Sequence, residues 1–239
     1  MHPSSLDHAR RMWAGLARVP IVFPPRGGVS VVASPESWLC PPGWAGIVVL
    51  GGATIATVPD SRSVEFVRDA LLAQSGQATI DLDRLRATSR ISDVLGPATL
   101  AYLDAGDFTA VHSTADVEKL PAAHRDLRSF LASAGDADRD ESGLEEIMSA
   151  AFVVRDGQDV IAAAGYRSWP DSVAHLSVLT AAGHRGRGLA RLAASAAIAE
   201  ALEDGMLPQW RARPEPSRRV ARALGFRELG TQVSIRLTT

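Results

Sequence analysis

Residues 173–205 of this 239-residue chain, VAHLSVLTAAGHRGRGLARLAASAAIAEALEDG, constrain its fold more than any other stretch. A run with strand composition feeds a loop rich in glycine and arginine, and a helical pattern follows at once, with apolar positions at Leu189, Leu192, Ala193, Ala196 and Ala199. Arginine is favoured at the negative, C-terminal end of a helix and disfavoured at its positive start. Arg185, Arg187 and Arg191 therefore sit at the wrong end unless an anion joins them. A strand delivering the chain through Gly186 and Gly188 into a helix gathers backbone N–H groups without intrahelical partners around one point. The two glycines permit positive φ and close approach of a ligand, and the arginines add charge-assisted donors. A pyrophosphate at the helix tip explains the arginines; an Arg-rich solvated loop is the alternative.

Two common phosphate-binding arrangements do not fit. A Walker loop needs Gly-Lys-Ser/Thr, and the only lysine of the chain is Lys119. A dinucleotide fingerprint needs a third glycine where Arg191 stands, and it opens a domain with several further strands and helices. Too little chain remains after residue 190.

The composition is that of an ordinary globular protein, with 46% hydrophobic and 22% charged residues and a net charge of −2. That balance demands neither nucleic acid nor membrane. The segment RARPEPSRRVAR carries five arginines, but it is a local patch beside a single aromatic, Trp210, which reads as core; no nucleic-acid partner is expected. No run approaches the length of a membrane helix, since AGIVVLGGATIATVP is broken by Gly51, Gly52 and Pro59. No signal peptide is apparent and Cys40 is the lone cysteine, so a cytoplasmic location is expected. Cys40 itself reads as a small buried hydrophobe rather than a nucleophile.

Two domains are expected, 1–115 and 116–239. In the first, HARRMWAGLARV and SRSVEFVRDALLAQ have helical spacing, the latter with Ser61 or Ser63 as N-cap, DLDRLRAT is helical, and GVSVVAS and GIVVLGGATIATV read as strands and turn. This is a small α+β domain of unassigned role. In the second, AAHRDLRSFLASAG is an amphipathic helix and ADRDESG a solvated acidic link. AAFVVRDGQDVIAAAGYRSWP is a hairpin, VAHLSVLT a strand, LPQWRAR another, SRRVARALG a helix capped by Ser217, and FRELGTQVSIRL the last strand.

VLTAAGHRGRGLA resembles the glycine-loop motif of the GNAT acetyltransferase superfamily, Gln/Arg-x-x-Gly-x-Gly/Ala, matched by Arg185, Gly188 and Ala190. LPQWRARPEPSRRVARALGF is similar to the Pro-x-Trp and Ser-x-x-Leu-Ala-x-x-Leu-Gly-Phe stretch of one branch of that superfamily, and the likeness covers roughly residues 117–239. The resemblance implies an α+β fold with a mixed, mainly antiparallel sheet and one splayed parallel strand pair, 174–180 and 208–213. It implies acetyl-CoA as co-substrate, no metal, and an amine of a small molecule or peptide as acceptor. The backbone of Val178, Leu179 and Thr180 would bond the pantetheine arm. Arg185, Gly186, Arg187, Gly188, Leu189 and Ala190 would hold the pyrophosphate, and Ser217 would lie near the cofactor. A homodimer is compatible with it.

Acetyl transfer also needs a neutral nucleophile, an oxyanion donor and a route for protons. A backbone N–H at Leu179 or a neighbour serves as the donor. His175 is the candidate base, sharing a strand face with Ser177 and Leu179; a structural, hydrogen-bonded histidine is the alternative. His184 reads as exposed and noncatalytic. Ala221 stands where many members carry a tyrosine that protonates the leaving thiolate, and Tyr166 is a candidate substitute or a packing residue. The branch's common Asn before the second helix is missing from RARPEPS. The acceptor is expected between the two halves, near Tyr166, Trp169 and His175. A catalytically silent acyl-CoA sensor, or an interaction scaffold whose residues 1–115 are a degenerate copy of the same fold, are the competing readings.

Overall fold

A computed structural model describes residues 4–74, 80–88, 91–111 and 116–238. Contacts divide the chain into two compact units, Met1–Tyr102 with Glu228–Thr239, and Leu103–Arg227. The joint expected at residue 115 falls on 112–115, outside the described residues, whereas the contact boundary lies at Tyr102 and Leu103. The last strand, grouped with the second domain on sequence, belongs for most of its length to the first unit.

In the first unit, α1 (Ser5–Leu16) is capped by Ser4, whose hydroxyl accepts from the Asp7 N–H at 3.2 Å, and it buries Ala9, Met12, Trp13 and Leu16. β1 (Val29–Ala33), β2 (Ala45–Leu50) and β3 (Ala53–Val58) follow; β2 and β3 form a hairpin turning on Gly51 and Gly52, both at positive φ. α2 (Ser63–Leu72), α3 (Leu82–Thr88) and β4 (Ile91–Tyr102) complete it, with the C-terminal strand β10 (Arg227–Leu237). The strand order is β1-β3-β2-β10-β4, with β1 parallel to β3 and β10 antiparallel to β2. Val67, Ala70 and Leu71 of α2 and Leu85 of α3 pack on Ile47, Val49, Val233 and Ile235. Neither serine expected to cap α2 does so: the Asp60 carboxylate accepts from the Ser63 N–H at 3.1 Å. A carboxylate is the better acceptor at a positive helix start.

The second unit contains β5 (Glu118–Leu120), α4 (Arg125–Ser133), α5 (Asp136–Ser142), β6 (Ala151–Asp156), β7 (Asp159–Trp169), β8 (Val173–Thr180), α6 (Leu189–Glu203), β9 (Leu207–Ala212) and α7 (Glu215–Ala223). The order is β9-β8-β7-β6-β5, antiparallel except for the parallel pair β8–β9. Leu127, Phe130 and Leu131 of α4 cover the sheet face that carries Val153, Ala163 and Leu179. α6 packs across β6, β7 and β8, and its run of alanines lets it lie close to the strands. The Tyr166–Asp204 hydrogen bond puts the α6 side on the other face, as strand alternation requires.

The architecture is the expected α+β one, mostly antiparallel with parallel pairs. Two local expectations need correction. ADRDESG, read as a solvated link, is the helix α5, whose side chains are all at least partly exposed; without an apolar stripe it leaves no periodic signal. α7 begins at Glu215 after an N-cap at Pro214, so Ser217 lies inside the first turn and its hydroxyl accepts from the Trp210 indole N–H at 3.0 Å instead of capping. Proline in the first turn and the fixed φ of Pro214 explain the earlier start.

Candidate acyl-CoA site

The parallel ladder between β8 and β9 runs for three pairs, Val173–Leu207, Ala174–Pro208 and His175–Gln209, and then stops. Beyond it β8 stays paired with β7 up to Thr180, so the two parallel strands part and the other edge of β8 opens onto a cavity of about 610 Å³. This is the splay expected for 174–180 against 208–213. Val178, Leu179 and Thr180 line one wall; Trp210, Arg211 and Ala212 line the other.

The loop after β8 makes the third wall. A 3-10 turn at Ala182–His184 leads to Gly186 and Gly188, at φ +78° and +79°, and Gly188 is the N-cap of α6. Side chains are strained at those angles, and a Cβ at either position would meet nothing within 4 Å. The glycines are thus kept by conformation, and the space they leave faces the cavity. The Leu192 N–H closes the first turn on the Gly188 carbonyl at 3.1 Å, so the N–H groups of residues 189–191 have no carbonyl ahead of them in the helix. The first turn of α6 contains no acidic residue.

Arg185, Gly186, Gly188, Leu189, Ala190 and Ser217 line this cavity, as do the three strand residues; Arg187 is exposed and outside it. α5 closes a further side with Asp138, Glu141 and Ser142. Asp138 pairs with Arg185 at 2.6 Å, Glu141 pairs with Arg213, and the Gly143 carbonyl accepts from the Ser177 hydroxyl at 3.1 Å. Sequence patterning missed α5 and also Arg211 and Trp210 as wall residues. Their only advance signal is charge: an acidic segment that answers the arginines of the loop and of β9.

His175 and Tyr166 stand outside the lining. His175 is stacked on Trp169, with ring centroids 4.4 Å apart, and its Nδ1 lies 2.9 Å from Gln209 Oε1. Burial first, and then the Arg211 charge, push its pKa down to about 3. The Tyr166 hydroxyl donates to Asp204 at 3.2 Å on the α6 side of the sheet, and burial together with nearby Glu200 and Asp204 pushes its pKa up to about 12. His184 is half-buried rather than exposed, lines the cavity and lies 3.6 Å from Asp156. Trp210 is buried and meets Phe226 edge-on, in keeping with its reading as core, although one side of it faces the cavity. Ala221, at the position of the usual tyrosine, is buried.

The residues present fit a pyrophosphate-bearing thioester. The glycine cradle is open, unpaired amides converge at the start of α6, and the Thr180 hydroxyl is buried at the wall with no hydrogen-bond partner. Among the described residues no group of three or more His, Cys, Asp or Glu side chains is arranged to hold a metal ion, and no helix is long and apolar enough to cross a membrane.

Residues 149–232 match the family model described as GNAT acetyltransferase. Among solved structures, the chain is similar to a GCN5-related N-acetyltransferase from Kribbella flavida, at 22% identity over 64% of this chain and 62% of that one, with a TM-score of 0.50. It is also similar to a GNAT-family protein from Novosphingobium aromaticivorans, at 22% identity over 61% and 65% of the two chains and a TM-score of 0.47. An acetyltransferase from the GNAT family of Colwellia psychrerythraea gives 13% identity, 76% and 75% coverage and a TM-score of 0.49. The chain spans less than two thirds of the length of the first two. No curated protein matches it. The family match lies on the unit in which two parallel strands part beside a glycine cradle, so residues 149–232 are where the likeness to GNAT acetyltransferases resides.

Proposed function

We propose that this protein is an acyltransferase that moves an acetyl group from acetyl-CoA to an amine of a small molecule or peptide. The family and fold support the acyltransferase role, and the observation that carries the reading is the parting of β8 from β9 after His175–Gln209, next to the glycine loop. Acetyl-CoA supplies an activated thioester.

Gly186, Gly188 and the amides of Leu189 and Ala190 hold the pyrophosphate, with Arg185 and Arg187 as cationic partners. The free edge of β8 at Val178–Thr180 receives the pantetheine arm as a neighbouring strand would, through backbone hydrogen bonds. Ser217 lies beside the arm on α7. A backbone N–H at Leu179 or its neighbour stabilises the negative charge that develops on the thioester oxygen.

His175 stays neutral at physiological pH because of its depressed pKa. With Nδ1–H donated to Gln209, its Nε2 is left as an acceptor that orients the incoming amine or a bridging water. The phenol of Tyr166, protonated and committed to Asp204, acts in packing. No tyrosine stands at Ala221 to protonate the thiolate; a thiol with a pKa of about 8.5 is a tolerable leaving group without it.

Calorimetric titration of acetyl-CoA into the wild type, Arg185→Ala and Gly188→Trp, paired with thiol release across an amine panel, tests the reading. Gly188→Trp is expected to abolish binding and Arg185→Ala to weaken it. Unchanged affinity in both removes the cofactor site. Tight binding without turnover on any amine points to an acyl-CoA sensor instead.

A further inference from the structure

Three arginines near the last β8–β9 pair differ in their partners: Arg167 on β7, opposite His175, Arg211 on β9, and Arg213 just after that strand. Arg167 pairs with Glu146 at 2.5 Å and Arg213 pairs with Glu141, but Arg211 has no ion pair among the described residues. Its side chain is open to water where it lines the cavity, while the protein around it pushes its pKa below the usual arginine value through desolvation. Glu141 and Glu146 act on it only from a distance, each being paired with another arginine, and an arginine held partly dry gains from a ligand anion that meets it directly.

Its place on β9 separates it from the phosphate cradle. Gln209 pairs with His175, and Arg211 stands two residues further along β9, past the point where the strands part, at about the height of Ser177 along β8. At ~3.3 Å per strand residue it is about 10 Å from the level of Thr180, where the glycine loop begins. It shares a strand face with Gln209, and so with the His175–Trp169 stack. Arg191 and Arg219, which also line the cavity, stand on α6 and α7; of the three arginines at the parting of the strands, Arg211 alone is left to meet an anion directly, one positive charge that matches a monoanion, and a planar guanidinium grips a carboxylate through two hydrogen bonds.

We propose that Arg211 is the anion anchor of the acceptor site and that the acceptor is a primary amine carrying a carboxylate, of the amino-acid type, lying against the Trp169–His175 stack. The inference rests on the acyltransferase reading. Thiol release by the full chain is measured for each of the twenty protein amino acids against its α-carboxamide, with rates referred to the neutral amine, and acetyl-CoA affinity is measured by calorimetry. The best acid is expected to exceed its amide by about 10-fold or more in kcat/KM. Arg211→Gln should remove that preference by raising KM for the acid about 10- to 100-fold, with acetyl-CoA affinity unchanged, and Arg211→Lys should restore part of it.

Amides equal to acids in the wild type, or a preference that survives Arg211→Gln, overturn the proposal. So does loss of acetyl-CoA affinity in that variant, which assigns Arg211 to the cofactor, or a better rate with phosphoethanolamine than with every carboxylate. Turnover of neutral amines alone leaves the acyltransferase reading standing and removes only this one, whereas no thiol release from any amine removes both.

Discussion

His175 and Gln209 form the last pair of the parallel ladder between β8 and β9, and the imidazole Nδ1–H donates to the amide Oε1 at 2.9 Å. One side-chain bond thus marks the point at which the strands part. It also fixes the tautomer, and burial with the charges of Arg211 and Arg167 keeps the ring neutral, its pKa down at about 3 against an ordinary 6.5.

A depressed pKa in the folded state ties stability to pH. The unfolded chain takes up a proton on His175 below about pH 6.5 and the folded chain does not until about pH 3. The contribution is therefore full above pH 6.5 and is lost as pH falls through that window, with a slope of at most about 1.4 kcal/mol per pH unit. His175→Asn should flatten the fall of the urea midpoint between pH 6 and pH 4 relative to the wild type. Parallel profiles for the two proteins would rule out a buried neutral histidine.

Asp138 competes for the cradle. Its carboxylate holds Arg185 at 2.6 Å with both side chains about half exposed, an arrangement worth little in itself and easily displaced by a diphosphate. Asp138→Asn is expected to tighten acetyl-CoA binding about 2- to 5-fold at low salt, and the gain should shrink at ~0.5 M salt, where such pairs are screened. Affinity that is unchanged or lower in the variant would show that Arg185 does not move between the two partners.

Cys40 is set up to be inert. Burial pushes its thiol up to about 11, and the sulfur lies 3.2 Å from the Trp44 carbonyl, to which it donates. Against the ordinary value of 9.0, alkylation by iodoacetamide at pH 8 should be about 100-fold slower in the native protein than in urea. Comparable rates would place the thiol in an open, polar setting.

What the sequence made legible follows from how locally each feature is encoded. The glycine loop declares itself because positive φ at Gly186 and Gly188 requires glycine and because arginines at a helix start lack an internal reason. The hairpin of β6 and β7 and the apolar strand composition of β8 are equally local. α5 was not legible, since its seven residues have no apolar side to bury and its position depends on Asp138 and Glu141 finding arginines remote in sequence. The wall contributed by Arg211 was hidden for a related reason: RARPEPSRRVAR reads as one basic patch, and only the structure separates Arg213, Arg218 and Arg222, which are in ion pairs, from Arg211 on the cavity wall. Placement of β10 with the first unit is a long-range pairing, Gly230–Leu50 to Ile235–Ala45, that no local pattern announces.

The Gly-Phe pair that closes the family-like stretch has a packing reason that can be tested apart from any ligand. Gly225 ends α7 at φ +98°, and a Cβ there would collide with the backbone carbonyl of Asp107, an atom that cannot rotate away. The next N–H, of Phe226, closes on the Ala221 carbonyl at 3.1 Å, and Phe226 is thereby turned edge-on to Trp210 on the cavity wall. Gly225→Ala combines unfavourable φ with backbone overlap, for which a loss of about 2–4 kcal/mol is expected. Because Trp210 borders the cavity, the variant should lose acetyl-CoA affinity along with stability, even though residue 225 is not itself among the lining groups. Thermal unfolding with and without acetyl-CoA reads both effects. A variant as stable as the wild type would mean that Asp107 and Gly225 do not approach as closely as the fold requires.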